Sequence, residues 1–134
     1  MKRFMMQATV ATVLVLVALG ANRYNTPRSI VHVVTILWKE NSTPEQQLAS
    51  LEGVKKMAAE IPGIKNVWIK PIKVQGSGKE GKDGKPGRPY ESAFVIEFAD
   101  QAAADRYVDH PAHIEWNKTY LAIREESTSH QITN

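Results

Sequence analysis

Tyr107 and His113, in the run YVDHPAH, are the side chains of this chain best suited to proton chemistry. A histidine with an unperturbed pKa of ~6.5 can accept a proton at neutral pH. A tyrosine hydroxyl can donate a hydrogen bond to a carbonyl or to a developing enolate. Removing a proton next to a carbonyl needs those two roles and no cofactor. The two residues stand six positions apart with Pro111 between them, so one straight helix cannot carry both on a single face. Their convergence depends on the bend. A purely structural reading is also concrete: His110 caps a helix that restarts at Pro111, His113 packs, and Tyr107 is a core aromatic behind Ala103.

Other candidates surround this pair. His32 interrupts an apolar strand face and points either into a ligand space or under the helices; Val34 shares its face. Trp116 and Trp38 can line a pocket for a flat apolar ligand or serve as core. Asp109, His110 and His113 make a poor metal set, because Pro111 interrupts the helix that a His-x-x-His pair needs. No metal and no cofactor are expected. Gly76 to Lys82 matches G-x-x-x-x-G-K, but Asp83 follows and no helix opens, so a phosphate cradle is rejected. Gly78 to Pro89 reads as four G-x-y triplets, too few for a triple helix. An extended hairpin loop over 75–90 is the expectation, with Lys79, Lys82, Lys85 and Arg88 as a basic edge partly offset by Glu80 and Asp83.

The elements that must position these residues follow from patterning. Ile30 to Trp38 (IVHVVTILW) is a β-branched strand. Thr43, Pro44 and Gln46 form a capping-box start for a helix with Leu48, Leu51, Val54, Ala58 and Ile61 at helical spacing and Met57 beside them. Pro62-Gly63 ends it. Ile64 to Val74 reads as a second strand, at an edge or bulged because of Pro71. Ser92 to Phe98 is a third strand. Asp100 caps a second helix, and a short one restarts at Pro111 with Ile114, Trp116 and Tyr120. A fourth strand is assigned to about Glu126 to Ile132. The order β-α-β-β-α-β is the ferredoxin-like α+β arrangement.

The first strand is apolar on both sides. Ile30, His32, Val34, Ile36 and Trp38 point one way, and Val31, Val33, Thr35 and Leu37 the other. Helices cover one face, so a second copy of the sheet is the expected cover for the other, as a homodimer. A barrel-like chamber between the sheets, with Tyr107 and His113 on its wall, is then the expected ligand site. Cover by the tail and the long loop is the alternative.

The first residues read differently. Lys2 and Arg3 precede an uncharged stretch from Phe4 to Ala21 whose strongly apolar part, Val10 to Leu19, has the length of a signal-peptide core. Residues 1–21 are read as a signal peptide cleaved near Gly20 or Ala21, or as an uncleaved membrane anchor, and 22–29 as a linker. The domain spans 30–134 and is expected to be secreted or periplasmic. With no cysteine, a lipid-modified N-terminus on the bacterial lipoprotein pattern, disulfides and thiol nucleophiles are excluded. Processing removes Lys2 and Arg3 and leaves 15 basic against 14 acidic residues, so the basic composition gives no reason to expect nucleic acid as a partner.

A histidine-bearing strand (IVHVVTILWKEN), a helix ending in IPGI, a third strand ending in EF, and YVDHPAH together resemble the stress-responsive A/B barrel (Dabb) family over about residues 30 to 132. The resemblance implies a dimeric α+β barrel. Most members have no assigned activity. A plant member is a polyketide cyclase that closes an aromatic ring by an aldol condensation without cofactor, and its catalytic tyrosine and histidine would fall on Tyr107 and His113. Its first-strand histidine would fall on His32. Some relatives are reported with magnesium, yet no carboxylate cluster here demands it. Two departures stand out: the last strand is usually apolar, whereas this one reads STSHQI, and the 75–90 loop is longer than usual. The expectation is a dimer binding a small apolar or aromatic molecule, with cofactor-free acid–base chemistry on a carbonyl compound. Tyr107 and His113 would be catalytic, with His32, Val34 and Trp116 contacting substrate. A non-catalytic stress-response or ligand-binding protein is the alternative, and a cofactor-independent oxygenase, on fold analogy alone, is a third.

Overall fold

A computed structural model describes residues 26–70 and 87–133. Strand β1 (Ile30–Trp38) is followed by helix α1 (Pro44–Glu60), strands β2 (Ile64–Lys70) and β3 (Ser92–Phe98), helices α2 (Gln101–Asp109) and α3 (Pro111–Ile123), and strand β4 (Arg124–Ile132). The four strands form one antiparallel sheet in the order β2-β3-β1-β4. The ferredoxin-like α+β arrangement is therefore present. β4 begins earlier than the residues about Glu126 expected for it. β2 lies at an edge, as its sequence predicts, although Pro71 itself, the 71–86 stretch and the 1–21 segment lie outside the described residues. Among the described residues no helix is long and apolar enough to cross a membrane.

Local chemistry accounts for the helix starts. The Thr43 hydroxyl accepts from the Gln46 amide at 3.3 Å, and the Gln46 side chain accepts from the Thr43 amide at 2.9 Å. This pair satisfies two of the donors left open at a helix start. Asp100 caps α2 by accepting from the Ala103 amide at 2.8 Å. The turn after α1 needs its glycine: Gly63 has φ +93°, and a Cβ there would meet the Ala103 Cβ at 2.5 Å.

The core lies between one sheet face and the helices. Ile30, Val34, Ile36 and Trp38 of β1 meet Phe94, Ile96 and Phe98 of β3, under Leu51, Val54 and Met57 of α1. Leu48 was expected on the buried face and instead is 56% exposed. The buried stripe of α1 keeps Leu51 and Val54 and adds Ser50 and Met57. Ile114 is likewise exposed, while Trp116 and Tyr120 are buried.

Among the described residues the opposite sheet face carries no helix. Trp68, Val95, Val33 and His130 lie in register across all four strands. Val31 and Thr35 flank that row, and Trp68 is 53% and Ile132 56% exposed. The two-sided character of β1 is thus real. The expected basic edge is altered at its one described member. Arg88 is taken up by Glu125 at 3.0 Å, Glu91 at 3.2 Å and Glu40 at 3.8 Å.

Candidate functional site

Pro111 is the local cause of the site. It has no amide hydrogen, so α2 cannot continue, and His110 adopts an extended conformation (φ −68°, ψ 135°) between the two helices. The backbone then has unpaired groups on both sides of the break. The Nδ1 of His110 accepts from the Ala112 amide at 3.2 Å, which caps α3 as the structural reading expects. The Nδ1 of His113 lies 2.9 Å from the carbonyl oxygen of Val108, in the last turn of α2. A carbonyl only accepts, so Nδ1 of His113 carries the proton and Nε2 holds the lone pair. The histidine that closes the helix end is thereby set in one tautomer.

The bend also brings the predicted pair together. The rings of Tyr107 and His113 are 4.2 Å apart between centroids, and His113 lies 5.9 Å from Trp116. His32, from β1, is 6.1 Å from Tyr107. Tyr107 is backed edge-on by Phe98 at 5.2 Å, and Trp116 by Phe94 at 5.7 Å and by a stacked Tyr120 at 4.6 Å. Each such aromatic pair contributes about 0.5–1.5 kcal/mol beyond burial. Trp116 is further tied to α1 by donating from Nε1 to the Ser50 carbonyl at 2.9 Å. Gly53 makes room for it; a Cβ at that position would stand 2.8 Å from its ring.

These side chains line a cleft of about 310 Å³ between the sheet and helices α2 and α3. His32, Val34, Tyr107, His113 and Trp116, all five residues expected at the site, are on its wall. Trp38 is not; it is fully buried and donates from Nε1 to Ser92 Oγ at 2.9 Å. A groove of about 440 Å³ between α1 and α3 carries no ionisable side chain. A smaller one of about 230 Å³ beside Gly53 has no histidine or tyrosine. Of these three, the cleft over His32 is the one that brings histidines and tyrosines together.

One expectation is corrected. The cleft lies on the helix-covered side of the sheet, within a single chain, and not in a chamber between two sheets. The reason is strand parity: His32 and Val34 share the face of Ile30 and Ile36, which the helices cover. The reading of the site therefore does not depend on a second copy.

Electrostatics sort the protonation states. Burial, and secondarily His113 nearby, pushes His32 below its usual pKa, so its ring is held neutral. Burial, with a smaller contribution from Tyr120, pushes Tyr107 far above the usual phenol value and keeps its hydroxyl protonated. Burial also raises Tyr120, against the opposing pull of Ser127 and Arg124. Those two stand near enough to act on the Tyr120 hydroxyl, yet no hydrogen bond of ordinary geometry reaches it.

Sequence reasoning missed Tyr120, Arg124, Ser127 and Ser129 as lining residues. Tyr120 is expected only as a position of the helix that restarts at Pro111, and it is also part of the core. The other three lie in a polar tail whose face cannot be read without its strand partner. Among the described residues no three of His, Asp or Glu gather as a metal set.

A family model described as the stress responsive A/B barrel domain (Dabb) matches residues 30–134. No curated protein sequence matches the chain. Among solved structures it is similar to a dimeric ferredoxin-like protein of unknown function from Thermobifida fusca: TM-score 0.63, 21% identity, covering 84% of this chain and 97% of that one. It is similar to a Dabb family protein with a ferredoxin-like fold from Mesorhizobium loti, with TM-score 0.59 and 25% identity over 79% of this chain and 96% of that one. It is also similar in fold to a hydroxynitrile lyase from Passiflora edulis, with TM-score 0.63 and 14% identity over 81% of this chain and 95% of that one.

Proposed function

From the premise that this chain belongs to the stress responsive A/B barrel (Dabb) family, we propose that it binds a small, largely apolar or aromatic carbonyl compound in the cleft over His32 and moves a proton on it without a cofactor. One observation carries this reading. The Val108 carbonyl holds His113 in the tautomer whose Nε2 can accept a proton, 4.2 Å ring to ring from a tyrosine that stays protonated. His113 acts as the base. Tyr107 donates its hydrogen bond to the carbonyl oxygen as negative charge develops there. His32, neutral and on the same wall, contacts the bound molecule with Val34 and Trp116. The hydroxynitrile lyase on the same fold supports the general idea that this architecture hosts chemistry, and nothing more specific.

The working form we propose is a homodimer joined through the helix-free sheet face, in keeping with the dimeric neighbour from Thermobifida fusca. We further propose export through residues 1–21, tested by sequencing the N-terminus of the protein recovered outside the cytoplasm.

Deuterium exchange next to the carbonyl of a small aryl ketone in D2O, followed by NMR, tests the chemistry. The protein should accelerate exchange, and His113→Ala should lose about 10²–10⁴-fold of that while keeping its far-UV circular dichroism. Equal exchange rates for the two proteins refute the base. Ligand binding with no exchange in either would identify the non-catalytic alternative.

A further inference from the structure

We propose that Arg124 makes one end of the cleft an anion site, so that the molecule bound there carries a carboxylate. This rests on the cleft being the ligand site, and it specifies the ligand's class.

The first observation is a concentration of unpaired groups. Four side-chain polar atoms are buried without a hydrogen-bond partner among the described residues: His32 Nδ1, Ser50 Oγ, Tyr120 Oη and Arg124 Nε. Three of these four belong to residues that line this one cleft. Buried polar groups are normally paired, and leaving several unpaired around a single space is costly unless something arrives to pair them.

The second observation is the uncompensated charge. Arg124 donates from Nη1 to Ser127 Oγ at 2.7 Å, and its guanidinium lies 5.6 Å from the Tyr120 ring centre. Among the described residues no carboxylate stands within 4.0 Å of it, while each of the other ion pairs described is satisfied at the surface. Glu125, the next residue, is turned to Arg88 at 3.0 Å. A guanidinium whose Nε–H is unpaired matches the donor geometry that a carboxylate accepts from.

The third observation explains how Arg124 reaches the cleft. Ser127 and Ser129 pair with Ile36 and Val34, on the helix-covered face. Strict alternation back from them would place Glu125 on that face. The register shifts instead: Leu37 pairs with Glu126, and Trp38 with Arg124. This one-residue bulge passes over Glu125 and sets Arg124 on the face of Trp38. Bulges re-aim side chains in this way. The effect here is to exchange a carboxylate for a guanidinium at the end of the cleft.

The test compares benzoate with its neutral isostere benzamide, titrated by calorimetry against the protein and against Arg124→Leu and Arg124→Lys. Benzoate should bind the protein about tenfold or more tightly than benzamide, the size of a hydrogen bond to a charged group. Arg124→Leu should erase that preference. Arg124→Lys keeps the charge without the fork and should retain part of it. Equal binding of the two molecules to the unaltered protein overturns the anion site and leaves the cleft intact. A preference that survives Arg124→Leu in a folded variant also overturns it. If neither molecule binds at millimolar concentration, the cleft and its anion site fall together. The first comparison needs no variant, so a variant that fails to fold does not shelter the idea.

Discussion

Replacing Gly53 by alanine reverses the sign that helix propensity alone would give. Gly53 lies inside α1, where a glycine costs about 1 kcal/mol relative to alanine. An exposed helix site would therefore gain about that much from Gly53→Ala. Here the new Cβ would sit 2.8 Å from Trp116 Cδ1 and 3.2 Å from its Nε1. Ordinary carbon contacts lie at about 3.5–4.0 Å, so the ring must retreat by about 0.7–1.2 Å. It is not free to do so. Its Nε1 is bonded to the Ser50 carbonyl at 2.9 Å, and its face is stacked on Tyr120 at 4.6 Å. Overpacking costs about 1–3 kcal/mol and a loosened buried hydrogen bond about 1 kcal/mol. Set against the propensity gain, the net is a destabilisation of about 1–3 kcal/mol. For a domain of this size that lowers the melting temperature by about 5–15 °C, read by circular dichroism. Trp116 also stands between α1 and the cleft, so its retreat should weaken binding of the same aryl probes. A variant that melts at or above the temperature of the unaltered protein would refute the close approach of this ring to α1.

Two further outcomes are expected. His32 is held below its usual pKa in the folded protein, while the unfolded ring takes up a proton near ~6.5. Below that value the unfolded chain binds more protons, so stability is full above about pH 6.5 and falls as pH drops towards the lowered folded value. Denaturant melts at pH 7.5 and 5 should show this loss, and His32→Gln should flatten it; an unchanged pH slope in the variant would remove His32 as its source. On the helix-free sheet face, Val33 sits between Val95 and His130. Light scattering should find a dimer for the unaltered protein and a folded monomer for Val33→Lys, and a monomer in both at high concentration would rule out that face as the interface.

Much of the fold was legible because its signals are local. Thr43, Pro44 and Gln46 announce a helix through bonds made within four residues. The apolar run of Ile30–Trp38 shows by its alternation alone that both faces of its strand are greasy. Leu48 was misplaced because a helix's apolar stripe has a breadth, and only the surface it packs against selects which edge of that stripe is buried. The pairing of Tyr107 with His113 was named from residue types and from the family resemblance. Its geometry came from the break at Pro111, which ends α2 and turns the Ala112 amide to His110, so that the Val108 carbonyl in the last turn is left for a side chain to satisfy.

By itself, then, the sequence determined the order of elements, the start of each helix and the two-faced central strand, since propensity, capping and alternation act over a few neighbours. The tertiary structure decided which side of the sheet holds the cleft and which charge stands at its end. Both depend on pairing between distant segments: the side on which the helices return to cover β1, and a one-residue bulge against Leu37 and Trp38 that turns Arg124 inward in place of Glu125. A slip of one residue in a strand moves a side chain to the opposite face, and only the partner strand sets that register.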